Sequence, residues 1–130
     1  MNKIATDIEQ SKRLAEILPL ESADMYYSAT IDATTLKPVY GTPPRVKQEC
    51  SATYKTDVPS WSLTALLEVM PSEIKDNHFL TLEKETFKMG DQYCCCYEDC
   101  NANSFYACFS NEPIDACCEM IVKLKEKNLI

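Results

Sequence analysis

The chain reads as an α+β protein: an antiparallel β-meander of three to five strands, with amphipathic helices over about 6–18, 59–70 and 112–128 packed on one face. Three observations predict this. Leu63, Leu66, Leu67 and Met70, and later Ile114, Cys117, Cys118, Ile121 and Leu124, recur at helical spacing. Between those two stripes lie three alternating, apolar runs separated by short breaks, and short connections join antiparallel neighbours. The composition is that of a folded chain: 130 residues, 45% hydrophobic and 25% charged. That length predicts a single domain over 1–130, able to bury about two-thirds of its unfolded surface.

Taken in order, the first helix opens at Thr6, with Glu9 three residues on as a capping box. Asp7 and Glu9 suit its first turn and Lys12 and Arg13 its last. Ile8, Ala15 and Leu18 share one side, flanked by Leu14 and Ile17, and Pro19 stops the run. Residues 23–31 alternate and favour a strand, with Met25, Tyr27, Ala29 and Ile31 on one side. Residues 32–47 hold Pro38, Gly41, Pro43 and Pro44 and are expected to form an irregular loop. An edge strand is expected near residues 48–54. Pro59 suits the first position of the second helix, Leu63 to Met70 supply its stripe, and Pro71 ends it. Strands follow at 79–86, 93–98 and 104–110, with a Gly90-Asp91 turn and a second turn at 99–103. On the middle strand Tyr93, Cys95 and Tyr97 oppose Cys94 and Cys96; on the last, Phe105, Ala107 and Phe109 oppose Tyr106 and Cys108. His78 is placed in the turn before residue 79. Asn111-Glu112-Pro113 starts the third helix, with Asn111 as its cap. The N- and C-terminal helices are expected side by side against the sheet.

Thirteen basic and twenty acidic side chains leave a formal charge of −7. Nucleic-acid binding draws on a concentrated basic face, so no nucleic-acid partner is expected. Lys123, Lys125 and Lys127 suit the end of a helix. No run of about 18 apolar residues exists, and Asp7, Glu9, Gln10, Lys12 and Arg13 interrupt the start, so neither a membrane span nor a secretory leader is expected. A cytoplasmic chain is the expectation, with its eight cysteines as reduced thiols filling core space.

Much chemistry is excluded by two residue counts. Only two glycines, Gly41 and Gly90, cannot build a phosphate cradle or a dinucleotide fingerprint. A single histidine, His78, rules out the two-histidine zinc protease motif, and no serine sits in a Gly-x-Ser-x-Gly elbow. A cysteine–histidine pair could use only His78. No catalytic, cofactor-binding or metal residue is therefore assigned. The one constellation weighed as a site is Cys96, Cys100, Cys108 and Cys117, which could form a structural zinc site. Against it, no Cys-x2-Cys knuckle exists, and cysteines on a strand alternate faces. Trp61 is read as packing the second helix onto the sheet, with an interface anchor as the alternative.

Ile4-Ala5-Thr6-Asp7-Ile8-Glu9-Gln10-Ser11, Ala23-Asp24-Met25-Tyr26, Asp57-Val58-Pro59-Ser60-Trp61-Ser62-Leu63, Asn111-Glu112-Pro113-Ile114-Asp115-Ala116-Cys117 and Met120-Ile121-Val122-Lys123-Leu124 together resemble a group of short uncharacterised proteins from gut bacteria and their mobile or prophage-like elements. The resemblance covers about half the chain, leaves out the cysteine cluster and carries over no activity. It implies a small accessory protein. The leading functional expectation is a non-enzymatic, cytoplasmic protein-interaction module with a protein partner, self-association being left open. Its rivals are the zinc protein, an enzyme of unrecognised type (a hydrolase or a thiol-dependent enzyme), and an acidic mimic of nucleic acid.

Overall fold

The computed structural model describes residues 3–47 and 57–130. The edge strand expected near 48–54, and Cys50, lie outside the described residues. Helix α1 spans Ile8–Ala15, followed by a 3-10 turn at Leu20–Ser22. Strands β1 (Met25–Tyr27), β2 (Ala29–Ile31), β3 (Pro38–Tyr40), β4 (Arg45–Val46) and β5 (Val58–Ser60) come next. After α2 (Leu63–Val69) the chain forms β6 (Glu73–Ile74), β7 (His78–Phe87), β8 (Gly90–Glu98) and β9 (Ser104–Ser110), then α3 (Pro113–Glu126).

The meander is the four-stranded antiparallel sheet β6-β7-β8-β9, and the architecture is α+β. Two smaller antiparallel sheets, β4-β1-β5 and β2-β3, are built from the first half. The strand expected over 23–31 is therefore two strands in two sheets, parting at Ser28. The stretch expected to be an irregular loop holds β3 and β4. Pro38 fits there because a two-stranded sheet consists of edges, where a missing N–H is tolerated.

Several boundaries differ from expectation, each for a local reason. The cap of α1 is Asp7, not Thr6: the Asp7 carboxylate accepts from the Gln10 N–H (2.8 Å), and the Gln10 side chain accepts from the Asp7 N–H (3.0 Å). Thr6 is instead fully buried and hydrogen-bonded to Trp61, the residue after β5. Its N–H donates to the Trp61 carbonyl (3.0 Å), its Oγ1 accepts from the Trp61 N–H (3.1 Å) and shares a hydrogen bond with Ser11 Oγ (2.7 Å), and its carbonyl accepts from Tyr27 OH (2.7 Å). Pro59 belongs to β5, opposite Tyr26, rather than to α2. Helix α2 starts later because Ser62 caps it, its hydroxyl accepting from the Ala65 N–H and its own N–H donating to Asp24 (2.9 Å). The cap of α3 is Glu112 rather than Asn111, without a side-chain cap bond, and Pro113 takes the first turn. His78 is the first residue of β7, paired with Ile74, not a turn residue.

One apolar cluster joins these parts. From α3 it takes Ile114, Cys117, Met120, Ile121 and Leu124, all exposed by 1% or less. Helix α2 adds Ala65 and Leu66, α1 adds Leu14, and the sheet adds Cys95, Tyr97 and Cys108. Each fully buried side chain of this size contributes roughly 1.5–3 kcal/mol. Trp61, with no exposed surface, sits in the same cluster and donates its ring N–H to Ser22 Oγ (2.9 Å), so its role is packing. Helix α3 lies on β8 and β9, and α2 packs against α3. Helix α1 meets β5 and α3, so the two terminal helices do touch, but α1 is held chiefly by the small sheet. Lys3 adds a polar clasp at that junction, its Nζ reaching Asp115 at 2.7 Å and Asp7 at 3.1 Å.

Candidate functional site

The face of the meander opposite α3 is the candidate site, and the strand register builds it residue by residue. Thr81 pairs with Cys96, and Cys96 with Ala107; Glu83 pairs with Cys94, and Cys94 with Phe109; Phe79 pairs with Glu98 and Glu85 with Gln92. Paired residues share a face, so these side chains form one surface with Phe87 at its end. Their alternates, Leu80, Leu82, Cys95, Tyr97, Tyr106 and Cys108, belong to the core cluster under the helix. The turn is Lys88-Met89, not the expected Gly90-Asp91: Gly90 and Asp91 already pair with Phe87 and Thr86 as the start of β8, and Gly90 closes the turn at φ +126°, where a side chain is strained.

The open face is apolar and acidic at once. Phe79, Phe87 and Phe109 are 47%, 52% and 50% exposed. Taking about 200 Å² for a phenylalanine side chain, they present roughly 300 Å² of aromatic surface. Phe79 and Phe87 lie eight residues apart on one strand, an extended separation of about 27 Å. Glu73, Glu83, Glu85 and Glu98 supply four carboxylates, and this face of the four strands carries no lysine or arginine. The sequence expectation that Phe105 continues the row of Ala107 and Phe109 fails at a bulge. Glu98 pairs with Ser104 while Tyr97 pairs with Tyr106, which puts Phe105 out of step. Its ring stands 5.2 Å from His78 and 4.6 Å from Tyr106.

Two thiols sit at the centre of the open face, walled by their neighbours. Cys96 Sγ lies 2.9 Å from Thr81 Oγ1 and donates to Glu98 Oε1 at 3.0 Å. Burial, and then the hydrogen bond to Glu98, push the Cys96 thiol up to about 12, and burial raises Cys94. Neither is a thiolate at neutral pH, so neither has the activation that a nucleophilic cysteine needs.

The other cysteines are spread through the structure. Cys95 and Cys117 meet in the core without exposure, and their mutual hydrogen bond, then burial, raises the Cys95 thiol. Burial pushes Cys108 up to about 11 and Cys118 up to about 12. Cys100 is exposed on the β8–β9 turn, where Asp99 Oδ1 accepts from the N–H groups of Asn101 and Asn103 at 2.9 Å each. The four cysteines weighed as zinc ligands are thus separated: Cys96 on the open face, Cys100 on the turn, Cys108 and Cys117 under the helix. Among the described residues no group of three or more metal-ligating side chains converges on one point.

The chain matches no family model, no curated protein and no solved structure.

The single imidazole is tied to the backbone and to an aromatic ring, and to no thiol among the described residues. His78 Nδ1 is 2.8 Å from the Lys75 carbonyl oxygen, which accepts, and the ring packs on Phe105. A cleft of about 310 Å³ beside Gln10, Arg13, Asp115 and Cys118 lies between α1 and α3. Its best-placed carboxylate, Asp115, is engaged by Lys3 and by Gln10 Nε2 (2.7 Å), so the cleft closes a structural junction. No helix among the described residues is long and apolar enough to cross a membrane. The open face was half legible in the sequence. The alternation of Cys94 and Cys96 was visible, but their exposed flank follows from which side α3 covers.

Proposed function

We propose that the chain is a non-enzymatic protein-interaction module whose contact surface is the open face of the meander. The observation that carries this reading is the set of half-exposed phenylalanines on a sheet face that no helix covers among the described residues. Aromatic side chains are enriched among the residues that anchor protein interfaces. The face also has the mixed character of an interface, with aromatic anchors and polar groups around them. A cytoplasmic setting fits, because all seven described cysteines are free thiols. The reading agrees with the accessory role implied by the resemblance to proteins of bacterial mobile elements.

Site-specific photo-crosslinking tests it. A photoreactive phenylalanine analogue is placed at Phe109 or Phe79, and in a control at Lys125, which is exposed on α3. The expected result is a discrete heavier adduct from the two face positions and none from Lys125. No adduct from the face, or the same adducts from all three positions, removes the reading.

A further inference from the structure

Among the described residues, the outer edge of β7 has unused backbone hydrogen-bonding capacity. Strand β6 covers only the start of β7, pairing Ile74 with His78 and Glu73 with Phe79, and the last contact is the Leu80 N–H donating to the Ser72 carbonyl (2.9 Å). Backbone groups of an antiparallel strand alternate in direction. With Leu80 pointing outward, Leu82, Lys84 and Thr86 point outward too, while Thr81, Glu83, Glu85 and Phe87 face β8. Among the described residues nothing pairs with β7 on that side beyond Leu80.

The charges along this edge choose an occupant. Glu83 and Glu85 stand on the open face without an ion-pair partner among the described residues. The intervening Lys84 is on the other face and is engaged by Asp91 at 3.2 Å. A second copy of the chain fits poorly. The antiparallel register that uses all of 81–87 sets Glu83 opposite Glu85 twice and Lys84 opposite Lys84, and like charges directly opposite destabilise a sheet. A strand with basic residues at alternate positions places cations opposite Glu83 and Glu85, with its other side chains beside Leu82.

We propose that the outer edge of β7, residues 81–87, accepts an extended basic segment of a protein partner as a further strand of the meander. The proposal rests on the open face being an interaction surface and names the partner's chemistry. Main-chain hydrogen bonds to Leu82, Lys84 and Thr86 supply attraction, and Glu83 and Glu85 supply selectivity. The rival account is that the charged edge only prevents sheet-to-sheet aggregation.

The two accounts separate with the purified chain and two capped synthetic peptides, one alternating lysine with valine, the other glutamate with valine. Binding is titrated, and protection of individual amides is read by hydrogen exchange. The lysine peptide should bind saturably and protect the amides of Leu82, Lys84 and Thr86. Exposed Glu83 and half-exposed Glu85 can be changed without opening the core. The double variant E83K/E85K should bind the lysine peptide roughly tenfold more weakly and prefer the glutamate peptide. A second variant, Thr86→Pro, removes an outward N–H and should weaken both pairings. Equal binding of the two peptides, protection at Ala107 and Phe109 on the β9 edge instead, or no protection at saturating lysine peptide overturns the proposal. If that happens while Phe109 still crosslinks a discrete partner, the edge reading fails and the open-face reading stands. If the crosslink is absent too, both fail.

Discussion

Glu98→Ala should raise the reactivity of Cys96. With its thiol pushed up to about 12 from an ordinary 9.0, the ionised fraction near pH 8 is roughly 10⁻⁴ rather than 10⁻¹. Reaction with iodoacetamide, which consumes thiolate, should therefore be slower than for an ordinary exposed thiol by roughly fiftyfold once the greater nucleophilicity of the more basic thiolate is counted, before the 1% exposure of Cys96 slows it further. Burial is the larger cause and persists in the variant. The second cause, the hydrogen bond donated to Glu98 Oε1 at 3.0 Å, disappears, and losing it should raise the alkylation rate severalfold. Alkylation is timed, quenched, and read cysteine by cysteine by peptide mass spectrometry. In the unmodified chain Cys100 should label first among the seven described cysteines. Cys95 and Cys117 report global opening, since neither has any exposed surface, and both should stay unlabelled in the variant. Labelling of Cys96 within tenfold of Cys100 in the unmodified chain, or an unchanged rate in Glu98→Ala, would refute the electrostatic account of this thiol.

Three further outcomes follow from the packing. Thr6→Val leaves the Trp61 N–H without its acceptor and takes the partner from Ser11, so unfolding in urea should show a loss of about 2–4 kcal/mol, whereas Thr6→Ser keeps the hydroxyl and should cost about 1 kcal/mol; equal losses would contradict the hydrogen-bonded account. Leu124→Ala, at a site with no exposure, should cost about 2–5 kcal/mol by the same measurement, and a loss below 1 kcal/mol would show that α3 is not seated as described. Partial burial raises the Asp7 carboxyl, but the Gln10 N–H and then the Lys3 ammonium outweigh it and hold the group below its usual 3.8. Its native pKa being depressed, Asp7 contributes stability above 3.8 that fades as pH falls through the lower native value. Asp7→Asn should therefore be less stable near neutrality and lose part of the acid-limb slope in melts taken from pH 6 to pH 2; an unchanged slope would contradict the assignment.

The meander was legible because its signals are local. A glycine-marked break and the Asp99 turn sit between alternating runs, although the first turn falls two residues before the expected Gly90-Asp91, and the α3 stripe is long enough to show its period. The first half was less legible because its strands have two or three residues each, too few for an alternation to show. Pro59 illustrates the difficulty. A proline suits the first turn of a helix and equally an edge strand, and β5 is an edge of its sheet, so only tertiary pairing decides. Thr6 and Asp7 are both good caps; Thr6 was removed from the contest by burial against Trp61. For the candidate site, the alternating thiols could be read from spacing, but the free edge of β7 could not. It depends on β6 stopping after two residues.

Among the described residues, helix α3 closes one face of the meander and the phenylalanines of the other face reach solvent. Nuclear magnetic resonance of the free chain with a neutral paramagnetic agent in the solvent measures this directly. Ring signals of Phe79, Phe87 and Phe109 should broaden together, while the Tyr97 ring signals and the Ile121 and Leu124 methyl signals remain sharp. If the Phe109 ring stays as sharp as that of Tyr97, the open face is covered and the account is contradicted.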